Sequence, residues 1–138
     1  MPLPEKALIA KIRRIAGASA MARNRGSGRI VFAGIGDVCA VLRMRPRQES
    51  LITTDFSLEG VHFRRDWHTA ASIGHRCLTR GLSDIAAMGG EPVAAFLSVA
   101  LPRGLAQSWV DRFARSLINL AEKFGVPLAG GDTAESPN

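Results

Sequence analysis

The sequence predicts an α+β domain, a mixed β-sheet with helices packed on one face. Three observations carry this. Two stretches, 73–88 and 109–124, place apolar residues at helical spacing and run into glycine. An almost continuous apolar run, 91–101, lies between them, and a shorter one, 126–129, follows. Upstream, two β-prone runs at 38–43 and 50–55 are separated by Pro46 and charged residues.

Each element follows from local chemistry. Leu8, Ile9, Ile12, Ile15 and Ala16 recur at helical spacing, and Pro4 suits a first turn, so residues 4–17 predict an amphipathic helix. Residues 18–33 are small, polar and basic and predict a loop. The runs 38–43 and 50–55 predict a hairpin or adjacent strands. Phe56, Leu58 and Val61 either continue the second strand or leave it as a loop carrying His62. Ser72 fits an N-cap, and Ile73, Cys77, Gly81 and Ile85 then form a buried stripe flanked by Leu78, Leu82 and Met88, ending at Gly89-Gly90. The run 91–101, with Pro92 near its start, predicts a strand covered on both faces. Trp109, Val110, Phe113, Leu117, Leu120, Ala121 and Phe124 mark a second long helix stopped at Gly125. Val126 to Ala129 predicts a short strand delivering Gly130-Gly131-Asp132. Neither an internal repeat nor a low-complexity tract interrupts this order.

With 138 residues, 46% of them hydrophobic and 22% charged, the chain is expected to be one domain, 1–138, with a core that needs no disulfide. Cys39 and Cys77 read as reduced core thiols of a cytoplasmic protein. No apolar segment follows the charged start as in a signal peptide, and Val93 to Leu101 is too short to span a bilayer. The net charge of +6 comes mainly from arginine, clustered at Arg23/Arg25/Arg29, Arg43/Arg45/Arg47 and Arg64/Arg65. Such charge suits anionic small molecules or nucleic acid, or is simply a solvated basic surface. Without Tyr or aromatic–basic interleaving, the base-stacking platform of a single-strand binder is missing, and nucleic acid is not the expected partner.

The acidic residues are more informative. Of six Asp, four fall where a predicted element meets glycine or a hydroxyl residue. They are Asp37 in Gly34-Ile35-Gly36-Asp37, Asp55 after Thr53-Thr54, Asp84 in Leu82-Ser83-Asp84-Ile85-Ala86-Ala87-Met88-Gly89, and Asp132 in Gly130-Gly131-Asp132-Thr133. Asp84 lies near a helix C-terminus, where the macrodipole disfavours an acid unless a cation is near; a solvent-facing Asp fits the same position. Thr hydroxyls beside Asp55 suit a Mg²⁺ shell, and the glycine pair before Asp132 leaves backbone N–H groups open to phosphate. Plain turns explain either one alone. Carboxylates about 4 Å apart repel by roughly 4 kcal/mol at an effective dielectric near 20, so convergence of several would call for divalent cations and a polyphosphate. The glycines at 34 and 36 do not complete a dinucleotide fingerprint, because Cys39 stands where the third glycine belongs, and a Walker A sequence is missing.

Together with Glu59-Gly60-Val61-His62-Phe63, these segments resemble thiamine-monophosphate kinase, in its order and at compatible spacing. The wider superfamily includes aminoimidazole ribonucleotide synthetase, and the resemblance is to its N-terminal domain. It implies that fold, and ATP- and Mg²⁺-dependent phosphorylation of thiamine monophosphate to thiamine diphosphate by direct in-line transfer. By matching position it implies Mg²⁺ ligands at Asp55, Asp84 and Asp132, with Thr53 and Thr54 adding oxygens. It places Gly131 at the nucleotide, His62 at the thiamine phosphate, and a homodimer formed through the sheet. The family pattern Gly-Ile-Gly-Asp-Asp departs here, where Val38 follows Asp37. Valine cannot ligate, so Asp37 serves as the metal residue only if the turn shifts. A non-catalytic nucleotide-binding or dimerisation module is therefore the alternative expectation. Because the last motif lies close to Asn138, a longer parent protein with a C-terminal domain is also expected.

Overall fold

The structure, a computed structural model, describes residues 4–23, 31–35 and 38–137, with side chains at 18–23 and 32–33 left aside. Seven elements follow in order: α1 (Glu5–Arg23), β1 (Val31–Ala33), β2 (Val41–Leu42), α2 (Ala70–Ala87), β3 (Ala95–Pro102), α3 (Gln107–Lys123) and β4 (Leu128–Ser136). This is an α+β fold. Strands β1 and β2 pair antiparallel, and β3 and β4 pair parallel, so both directions occur, in two separate two-stranded sheets. Parallel strands need a crossover between them, and α3 supplies it.

Helix α3 is central because its apolar stripe is wide. Val110, Phe113, Ala114, Leu117, Ile118, Leu120 and Ala121 are all buried. One side of the stripe packs with Ala70 and Ile73 of α2, and Leu97 and Leu128 join from the parallel strands. The other packs Val110 against Leu101 of β3 and Leu8 of α1. Among the described residues Leu8 is the most enclosed side chain, at 1% exposure. Lys11 secures the same contact, donating to Asp111 at 2.6 Å. Burial disfavours the Asp111 carboxylate, but hydrogen bonds from Lys11 and Gln107 outweigh that and hold its pKa below the usual value.

Helix α2 crosses α3 closely because Gly74 has no side chain. A Cβ there would stand 3.0 Å from the Phe113 carbonyl carbon and closer still to its oxygen. The C-terminus of α2 closes as expected: Gly89 takes a left-handed φ of 69°, and its N–H and that of Gly90 return to Ala86 and Ile85 carbonyls. Gly125 does the same after α3, at φ 68°.

Several expectations are corrected. Helix α1 runs on to Arg23 and β1 lies within 18–33, so that region is not all loop. The run 50–55 joins no sheet; side chains, not a ladder, hold it. Thr69, not Ser72, is the N-cap of α2, its hydroxyl accepting from the Ser72 N–H at 3.1 Å. Strand β3 is covered on one face only: Leu97, Val99 and Leu101 meet helices, while Phe96, Ser98 and Ala100 are exposed. A continuous apolar run conceals this alternation. Strand β4 extends to Ser136, because its partner β3 is long enough to pair with it throughout. Cys39 is exposed rather than in the core, whereas Cys77 is half-buried and burial pushes its thiol pKa up.

Candidate functional site

The four acidic segments come together in pairs. Thr53 and Asp84 meet directly: the Thr53 hydroxyl donates to Asp84 Oδ2 at 2.7 Å. One helical turn earlier, Arg80 donates to Asp55 Oδ1 at 2.7 Å and to the Phe56 carbonyl at 2.6 Å. The register has a simple cause. Two extended residues advance about 6.6 Å, and four helical residues about 6.0 Å. Thr53 and Asp55 therefore share the side facing α2, opposite Asp84 and Arg80, with the segment running antiparallel to the helix. Gly81 opens the room between, since a Cβ there would lie 3.8 Å from the Thr53 methyl. Thr54 points elsewhere and is exposed.

The other pair lies at β4. A Cβ on Gly34 would sit 3.1 Å from the Ala129 carbonyl oxygen, so the segment leading to Asp37 passes close against the strand. Asp37 itself lies outside the described residues. The β3–β4 register shifts at this point, Ala95 facing Leu128 and Phe96 facing Gly130, which leaves Ala129 as the extra residue of a bulge. Gly131 follows at φ 144°, where a Cβ would overlap the Leu97 carbonyl and lie 2.8 Å from the Leu97 nitrogen. Glycine at 131 is thus demanded by the strand crossing itself. Asp132 is exposed and accepts the Thr133 N–H at 2.9 Å. The Thr133 hydroxyl beside it is buried and has no hydrogen-bond partner among the described residues. An orphaned hydroxyl of this kind is one a ligand or its water would meet.

His62 borders a cavity of about 50 Å³ together with Ser57, His68, Ser72, Arg76 and Arg80. Its Nδ1 accepts the Leu58 N–H at 3.1 Å, in a turn that Gly60 opens at φ 81°. His68 repeats the arrangement one step on, with Nδ1 on the Arg64 N–H at 3.2 Å. His68 and Arg76 had no distinctive setting in the sequence. The signal was a histidine four residues after the N–H that its ring accepts, which is too short to stand out. Two arginines and two histidines border this cavity beside Phe63 and Ile73, and one of them, Arg80, is already paired with Asp55.

The cation question can be tested on these residues. Among the described residues no three His, Cys, Asp or Glu side chains gather as a metal cage. Magnesium seldom uses such a cage; it binds one or two carboxylates, keeps waters and takes the rest of its shell from substrate phosphates. Asp84, Thr53 and Asp55 supply hard oxygens of that kind on one side of α2, so the donor chemistry fits. The charge on Asp55 is already met by Arg80.

A fold of three helices and a parallel strand pair, with acidic–hydroxyl motifs gathered at element ends, defines a class. The chain belongs to the AIR synthase related protein N-terminal domain family, whose profile matches residues 36–138. Within it, the similar proteins are thiamine-monophosphate kinases. That of Escherichia coli K12 is 37% identical over 115 residues, covering 83% of this chain and 35% of its own length. That of Corynebacterium glutamicum is 38% identical over 98 residues, covering 70% and 30%. The crystal structure of thiamine-monophosphate kinase from Stenotrophomonas maltophilia superposes with a TM-score of 0.76 at 35% identity, over 99% of this chain and 40% of that one. The chain thus spans about a third of the length of the curated relatives it matches.

Proposed function

We propose that the chain is an N-terminal ATP- and Mg-binding domain, residues 1–138, of a thiamine-monophosphate kinase, acting in the transfer of a phosphoryl group from ATP to thiamine monophosphate. The observation that carries this reading is the Thr53–Asp84 hydrogen bond, which joins two segments 31 residues apart into one oxygen-rich patch. Nucleotide enters as Mg·ATP, and the metal neutralises phosphate charge when bound. Asp84 and Asp55 are the carboxylates facing it, with Thr53 adding a hydroxyl oxygen. Asp132 serves from the β4 side, where Gly131 lets the backbone lie close to the nucleotide, and Asp37 is the further acid this reading gives to the metal. His62 contacts the thiamine phosphate at the cavity it borders. Transfer is direct and in line, so these groups orient and neutralise, without a covalent intermediate. The exposed face of β3, with Phe96, Ser98 and Ala100, is the surface through which two copies would pair. Among the described residues no helix is long and apolar enough to cross a membrane, and a cytoplasmic setting accords with the reaction.

A second reading, a nucleotide-binding module without turnover, is favoured by two observations. Val38 stands where the family pattern has Asp, and Asp55 is held by Arg80. Calorimetric titration of ATP with and without Mg²⁺ tests the shared core of both readings. Binding should require Mg²⁺ and weaken at least tenfold in Asp84→Asn. Equal binding by that variant would contradict the assignment of Asp84.

A further inference from the structure

Arg80 has so far been given no role of its own in the proposed reaction. It sits on α2 four residues before Asp84, and its guanidinium is committed to Asp55 and to the Phe56 carbonyl together. Both side chains of the ion pair are about a third exposed or less, at 32% and 27%, so the pair is partly shielded from water. The fork geometry matters. Arginine presents parallel donors, and here one satisfies a carboxylate while the other pins the backbone of the next residue. Asp55 is therefore fixed in place with no divalent cation at all.

We infer that Arg80 is a built-in counter-cation for Asp55, which a divalent metal ion must displace before that carboxylate can serve as its ligand. This rests on the reading that Asp55 and Asp84 take the metal of Mg·ATP. A guanidinium and a metal ion compete for Asp55 Oδ1, because both draw on the same oxygen and their positive charges repel at that range. Displacement is physically open to Arg80. Its side chain already borders the cavity lined by His62 and Arg76, so the freed guanidinium has a place to turn toward when a substrate phosphate is bound there. Thr53 imposes a smaller demand at Asp84, because a neutral hydroxyl can remain beside a metal ion as a further oxygen ligand. The consequence is a site poised against adventitious metal and opened most readily when nucleotide and phosphate arrive with the ion.

The test is Mn²⁺ binding to the full chain, followed by electron paramagnetic resonance of the free ion, with Mg²⁺ competition to confirm a shared site. Arg80→Met keeps most of the apolar stem and removes the charge. It should bind Mn²⁺ roughly three- to tenfold more tightly, the range expected for losing a competing, partly exposed charge pair. Asp55→Asn combined with Arg80→Met should erase that gain. Affinity in Arg80→Met that is unchanged or weaker, or a gain that survives in the double variant, overturns the inference while leaving the metal reading intact. No binding by either the unmodified chain or Arg80→Met overturns the metal reading itself, and the inference with it. Should Arg80→Met fail to fold, the unmodified chain decides. Saturating Mg²⁺ should shift the Arg80 guanidinium Nη–H resonances, and resonances that stay in place contradict displacement.

Discussion

Replacing Gly74 by alanine perturbs the joint on which the candidate site is hung. Alanine is the better helix former by about 1 kcal/mol, so propensity alone forecasts a more stable protein. The structure forecasts the opposite. The new Cβ would lie 3.0 Å from the Phe113 carbonyl carbon and 3.2 Å from its Cα, and would overlap the oxygen. These are backbone atoms of a buried helix, which cannot turn aside as a side-chain tip can. Relief requires α2 and α3 to separate by about an ångström, loosening Ile73 against Phe113 and Leu117. Overpacking of this kind costs about 1–3 kcal/mol, and the close backbone contact places it at the upper end. After the propensity gain, a net loss of about 2 kcal/mol remains. For a chain of 138 residues that lowers Tm by about 7 °C. The assay is thermal and urea unfolding of both forms, with the unfolding slope checked for constancy. A variant as stable as the original would refute the close crossing.

Other outcomes follow from single contacts. Leu8→Ala empties the most enclosed position of α1 and should cost about 3 kcal/mol in chemical denaturation. Val38→Asp should leave stability within about 0.5 kcal/mol, because the side chain is fully exposed, and should strengthen Mn²⁺ binding if the missing acid is what limits it. Glu135 is held at a pKa of about 2, against a usual 4.5, with hydrogen bonds from the Arg103 guanidinium the largest cause. Its folded pKa is depressed, so its contribution is present above 4.5 and is lost as pH falls toward about 2. Carboxyl NMR should follow that titration, and Arg103→Ala should return it toward 4.5.

The two long helices and their stops were readable because period and punctuation agree. The stripe from Val110 to Ala121 is apolar at helical spacing, and Gly89 and Gly125 take the left-handed turns that only glycine adopts cheaply. The strands were less legible. In β3 every residue from Ala95 to Leu101 but Ser98 is apolar, so the sequence cannot show that Phe96 and Ala100 face outward. The segment 50–55 has strand composition, yet its partners are side chains of α2 rather than another strand. Local propensity carries no record of such a partner.

For the site, the motif set named the residues that meet at α2, since Thr53, Asp55 and Asp84 all stood out beside glycine or hydroxyl neighbours. What it hid was Arg80. On a helix, one more arginine in an arginine-rich chain looks like solvated surface. Only the antiparallel register of two extended residues against one helical turn reveals that it faces Asp55. The glycine pair before Asp132 held the reverse lesson. It reads as open backbone for a ligand, and at Gly131 the nearer cause is the Leu97 carbonyl of the neighbouring strand.

The measurement that bears most directly on the central claim is thiamine diphosphate formation from thiamine monophosphate and Mg·ATP. It should be made with this chain alone, and with this chain grafted in place of the matching N-terminal region of the Escherichia coli kinase. The account predicts product from the graft, and a loss of about 100-fold or more when Asp84 is changed to Asn. A folded graft that binds both substrates but forms no thiamine diphosphate, or one that Asp84→Asn leaves undiminished, would contradict it.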